Sequence, residues 1–118
     1  MSSASNYLEN KLLDPTVRNT SFSQPSTLAI ALFAGTASDV LAALEAGTGS
    51  RSGTGNWGHY EITGGAYTRK TITFAAASGG SAASNANCTF DTATANYNNA
   101  AGSGSTITCI AVMDGAFT

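Results

Sequence analysis

Residues 67–74, Tyr-Thr-Arg-Lys-Thr-Ile-Thr-Phe, alternate strictly. Tyr67, Arg69, Thr71 and Thr73 point one way, and Thr68, Lys70, Ile72 and Phe74 the other. Period-two alternation of β-branched and aromatic residues is the pattern of a half-buried strand and is incompatible with an amphipathic helix. The Gly64-Gly65 pair before it permits a turn or bulge that side chains with a Cβ resist. This stretch commits the chain to a largely β fold.

The rest of the chain is read against that constraint. Its 118 residues suffice for one domain with one core and are too few for two. Residues 6–13 predict a short helix: Asn6 caps it, Glu9 stands at the capping-box spacing, and Leu8 and Leu12 share a face with Leu13 beside them. Pro15 either ends this helix or opens a further turn capped by Asp14. A helix this short needs a surface to pack on, its own sheet or a neighbouring subunit. Residues 26–34 predict a strand that is apolar on both faces and so covered on both. Residues 38–46 predict a second short helix, with Ser38 as cap and Gly47 as its stop.

Residues 47–58 carry five glycines in twelve positions and predict a long exposed loop. Strands are expected at 59–63, 67–74, 87–91 and 106–114. The Ala/Ser/Gly-rich stretch 75–86 and residues 96–105 connect them. Short strands divided by glycine-rich turns imply an antiparallel β-sandwich of jelly-roll type. It forms one domain over 1–118, with an N-terminal helical arm over about 1–22. The sequence closes just after an apolar strand, so either a further hairpin is missing from it or another subunit is expected to cover that edge.

Charged residues are only 10% of the chain against 42% apolar, and the formal net charge is −2. Weakly charged surfaces favour association, so we expect a homo-oligomer or a surface taken up by neighbours. Three arginines and two lysines form no basic stripe, which argues against nucleic acid. The first residues lack a secretion signal, and the longest apolar run, 28–34, is too short to cross a bilayer, so a cytosolic folding compartment and no membrane role are expected. Cys88 and Cys109 are then expected as free, buried thiols. The two N-x-[ST] sequons, at Asn19 and Asn87, carry no weight without a secretion signal.

Catalytic chemistry finds little footing. His59 is the single histidine and no G-x-S-x-G elbow accompanies it, since Arg51 stands where the serine would be. One His and two Cys without C-x-x-C spacing cannot close a zinc site, and Asp91 and Asp114 lie in no dense acidic loop. The loop 47–53 is neither G-x-G-x-x-G nor a P-loop. Pairs among Glu45, Glu61, Asp91 and Asp114 could be drawn as glycosidase carboxylates in any chain with this many acids. We expect no enzyme, no cofactor and no metal.

Trp57 and Tyr97 fall in loops. Each either covers one end of the core, the commoner fate of aromatics, or anchors an interface. With Tyr7, Leu8, Leu12 and Leu13 they form the candidate interface set. Arg69 and Lys70 face opposite sides of their strand and read as a solvated face and an edge guard, or as half of a subunit salt bridge.

Several short matches occur in one order: the run Tyr7 to Asp14 with Arg18-Asn19-Thr20, the strand Leu28 to Phe33, the E-x-x-GG-x-Y-x-R pattern from Glu61 to Arg69, the pair Thr89-Phe90, and the strand Ile110 to Asp114. In this order they resemble small virion structural proteins of tailed bacteriophages. The sequence departs from that pattern at Pro15, in the insertion 37–58, and in lacking a further C-terminal hairpin. The resemblance implies a virion component assembled in the host cytoplasm. Its expected partners are the major capsid protein or other virion proteins. The leading expectation is a capsid decoration, or cement, protein acting through multivalent contacts. The alternative is a tail-associated adaptor or a glycan-binding host-recognition module.

Overall fold

The computed structural model describes residues 6–22, 24–25, 27–46, 48–102 and 106–114, with side chains from residue 9 onward. Ser26, Gly47, residues 103–105 and 115–118, and the side chains of Asn6, Tyr7 and Leu8 therefore lie outside the described residues.

The described residues build one antiparallel sheet in the order β2-β1-β3, from β1 (Leu28–Phe33), β2 (Lys70–Ile72) and β3 (Cys109–Asp114). Central β1 runs against β3 along its whole length, from Leu28 opposite Asp114 to Phe33 opposite Cys109. Against β2 it pairs only over Leu28 to Ile30. The rest of that side is filled by the chain around Glu61: Tyr60 O accepts from Ala34 N at 3.0 Å and Ile62 N donates to Leu32 O at 3.1 Å.

The apolar character of β1 on both sides follows from burial on both faces. Ala31 and Phe33 pack with Val40, Ala43, Trp57 and Tyr60. Val40 and Ala43 come from α2 (Ala37–Ala46), while Trp57 and Tyr60 come from the single turn α3 (Trp57–Tyr60). On the other face Leu32, Ala34 and Ile62 are covered by Tyr67, Phe90 and Tyr97. Phe33, Ile62 and Val40 are the largest wholly enclosed side chains. Each such side chain contributes roughly 1.5–3 kcal/mol through burial.

Helix α1 (Asn6–Arg18) extends past the predicted end and contains Pro15. Thr16 Oγ1 bonds back to Leu12 O at 2.7 Å, a contact that satisfies a carbonyl one turn below. Arg18 closes the helix with an exposed ion pair to Asp14 at 3.2 Å. α2 begins one residue earlier than predicted, and the Thr36 carbonyl, rather than Ser38, accepts from Asp39 and Val40 at 3.0 Å each.

The strand expected over 67–74 shortens to Lys70–Ile72, because the turn at Gly64 to Ala66 takes Tyr67 and Arg69 to Glu61, and that over 106–114 shortens to Cys109–Asp114. Three further segments also differ from expectation. Residues 57–60 curl into α3 because Trp57 and Tyr60, three apart, turn to the same core. Phe90 lies outside any ladder and stacks on Tyr67 at 6.1 Å between ring centroids. Residues 75–86 form a hairpin: Ala75 N bonds Ala83 O at 2.9 Å and Ser78 N bonds Ser81 O at 2.8 Å. Its tip, Gly79-Gly80, has φ of 58° and 77°, the two positive values a type I′ turn demands.

Candidate functional site

The E-x-x-GG-x-Y-x-R spelling is explained by a turn that folds Tyr67 and Arg69 back onto Glu61. Gly64 and Gly65 take φ of 75° and 58°, and Ala66 follows at 68°. Tyr67 N closes the turn on Gly64 O at 2.9 Å. The alternation of the next residues then sends Tyr67 and Arg69 to the same side. Glu61 Oε1 accepts from Arg69 Nε at 2.6 Å, and Oε2 accepts from Arg69 Nη2 at 2.7 Å. Tyr67 Oη donates to Glu61 Oε1 at 3.1 Å and itself accepts from Leu32 N at 3.1 Å. The guanidinium lies over the Trp57 ring, 5.2 Å from its centroid.

Glu61 is buried, so its charge is tolerable only because the arginine fork and the phenol satisfy it. The contact with Glu61 holds Arg69 above its already high ordinary pKa. Burial pushes the Tyr67 phenol up to about 12, an effect that the Leu32 N–H opposes and the Glu61 charge reinforces. An open depression of about 410 Å³ lies over this hub, with Arg51, Thr63 and Thr68 on its walls. Its acid and its inner cation pair with each other, and the arrangement braces the turn against Leu32. Lys70, which points the other way, pairs with Asp91 at 2.6 Å on the surface.

The glycine-rich loop is tied down by one residue that sequence reading passed over. Asn56 Oδ1 accepts from Thr48 N and from Thr48 Oγ1, both at 2.9 Å, and Asn56 Nδ2 donates to Ser52 O at 2.9 Å. His59 Nδ1 contacts Arg51 O at 3.0 Å, so the single histidine pins the same loop. A second such residue is Asn99, buried, with Nδ2 2.6 Å from Ala34 O and 3.1 Å from Tyr60 O. Both are asparagines in glycine- or asparagine-rich loops, and nothing in their local spacing sets them apart from their neighbours.

The candidate interface residues separate. Leu12 and Leu13 are each 55% exposed on α1, joined by Val17 at 71%. At 100° per residue these three occupy one half of the helix surface. Of α1 only the backbone is described at Tyr7 and Leu8. Trp57 is buried between Gly49 and Arg69, and Tyr97 is half-buried, edge-on to Tyr67 at 6.4 Å. In the isolated chain both aromatics cover the core. The structure adds an uncovered patch: on β3, Ile110 is 69% and Val112 54% exposed. Cys88 and Cys109 are free and half-buried. Among the described residues no group of three or more His, Cys, Asp or Glu could hold a metal, and no helix is long and apolar enough to cross a membrane.

Comparison with known proteins gives one match. A family model described as Podophage GP4 fiber I protein gp80 matches residues 3–118. No curated protein and no solved structure matches the chain. The chain belongs to this podophage fiber I family, and is a virion-associated structural protein of a tailed phage.

Proposed function

We propose that this podophage fiber I family member is a tail-associated component that docks on another virion protein through the apolar side of α1. The observation that carries the reading is the exposure of Leu12, Leu13 and Val17 on a helix of 13 residues. Such a helix is marginal in water unless its apolar side is packed, and among the described elements α1 packs chiefly against α2. An amphipathic helix laid in an apolar groove is a common way to join two proteins, with anchors one turn apart. The rigid hub of Glu61, Tyr67 and Arg69 holds the sheet together and leaves the arm to make contacts.

The family's description as a fiber protein favours the tail over shell decoration. Copy number separates the two locations. Quantitative mass spectrometry of purified particles should find about a dozen copies or a small multiple, set by the cyclic symmetry of a tail. Hundreds of copies would move the protein to the shell and replace this reading with that of a decoration protein.

A further inference from the structure

We infer that β3 is a self-pairing edge, through which two copies of this chain join their sheets antiparallel about a two-fold axis at Ala111. The inference concerns contact between copies and does not depend on where in the virion the protein sits.

Among the described residues the sheet ends at β3, which pairs with β1 on one side. The direction of its backbone groups can be read from β1. Leu32 sends its N–H to Tyr67 Oη and receives Ile62 N at its carbonyl, both on the side away from β3. Leu32 and Ile110, directly opposite, are therefore a non-hydrogen-bonded pair, and Ile110 and Val112 aim their own N–H and C=O at the outer edge. Natural edges of this length are blunted by lysine, proline, bulges or glycine. The six residues from Cys109 to Asp114 contain no lysine, proline or glycine, and their one charge is at the end.

The side chains favour the same occupant. Cys109, Ala111 and Met113 turn to the face packed by α2 and α3. Ile110 and Val112 turn to the other face, where the cover formed by Ile62, Tyr67, Phe90 and Tyr97 stops above β1. A second β3 placed antiparallel sets Ile110 opposite Val112 of the other copy, twice, making one apolar cluster continuous with Ile30 and Leu32. Cross-strand pairs of β-branched residues are among the favourable ones.

Apolar pairing favours the register with the axis at Ala111, where Ile110 meets Val112 twice, and charge excludes its neighbour toward the C-terminus. Outward-pointing residues must face one another, so the strands can slip only in steps of two residues on the partner. With the axis at Ala111, each Asp114 falls opposite Thr108, and the two carboxylates stand at opposite ends, roughly 20 Å apart at 3.4 Å per residue. The next register toward the C-terminus would press Asp114 against Ile110 and desolvate the carboxylate.

Sedimentation velocity on the purified full-length protein tests this. The wild type should pass from monomer to dimer between about 1 and 100 μM. I110K and V112E change exposed side chains and should keep the wild-type circular dichroism. Each should raise the dimer dissociation constant at least about tenfold. An equal mixture of I110K and V112E, and the double variant I110K/V112E, should restore the dimer because position 110 lies opposite position 112. A wild type that stays monomeric across the range overturns the inference, including the case where a strand of another virion protein takes the edge. Dimers that survive I110K and V112E, or mixtures that fail to restore them, overturn it too.

Discussion

Arg69 grips Glu61 by both carboxylate oxygens, at 2.6 and 2.7 Å, across a turn of eight residues in sequence. The pair is buried on the Glu61 side and roofed by Trp57 on the other. Removing one partner from such a pair is costly because the other is left desolvated and alone. E61Q is therefore expected to lower stability by roughly 3 kcal/mol. Replacing both partners by apolar residues, E61L/R69M, should recover part of that loss. Urea denaturation of the singles and the double checks it; additive losses would remove the coupling claimed here.

Tyr67 gives the account a pH dependence with a definite sign. Its phenol is pushed from 10.0 to about 12 in the folded chain, first by burial. The unfolded chain thus gives up this proton before the folded one. The stabilisation is fully present below pH 10 and is lost as pH rises towards 12. Tyr67 should ionise late by ultraviolet absorbance, and Y67F should remove that late step. Comparing urea midpoints, the advantage of wild type over Y67F should shrink above pH 10. A constant advantage would contradict the assignment.

Two glycines hold loops by close approach. A Cβ at Gly58 would stand 2.1 Å from the Gly49 carbonyl oxygen, and one at Gly65 would stand 2.6 Å from Ala95 O with φ at +58°. Backbone cannot yield as a side-chain tip can. G58A and G65A should each cost about 1–3 kcal/mol. G58A should also speed hydrogen exchange across residues 48–56, whereas G55A, where no atom lies within 4 Å, should leave stability almost unchanged.

Asn99 bonds two carbonyls, Ala34 O and Tyr60 O, inside the protein. N99A removes one donor from each carbonyl, although Tyr60 O keeps that of Ala34 N, and should lower stability by about 1 kcal/mol, with the melting temperature as readout. An unchanged melting temperature would show that water replaces the amide.

The parts of this fold legible in the sequence are those written in apolar periodicity. The arm, β1, α2 and β3 each carry it, and the same-side placement of Tyr67 and Arg69 follows from alternation alone. Glu61 as their shared partner was not legible, because the turn at Gly64 to Ala66 sets that meeting and no spacing rule encodes it. Trp57 and Tyr60 misled the reading of 59–63, since one helical turn is too short to show a period. The Gly79-Gly80 signal was present, but its Ala and Ser flanks lack the alternating apolar residues that mark a hairpin. Of the candidate interface residues, Leu12 and Leu13 are legible as an apolar side. Ile110 and Val112 were legible only as strand residues, because which side of a strand goes uncovered is decided by how far the opposite layer extends.

Attachment of the protein to its particle through α1 is checked by counting the protein in purified particles grown with L13K/V17K in place of wild type. Both side chains are largely exposed, so the melting temperature of the free protein should not move. Incorporation should fall at least about tenfold, the loss of roughly one buried apolar anchor or more. Incorporation at the wild-type level, with the variant folded, would contradict it.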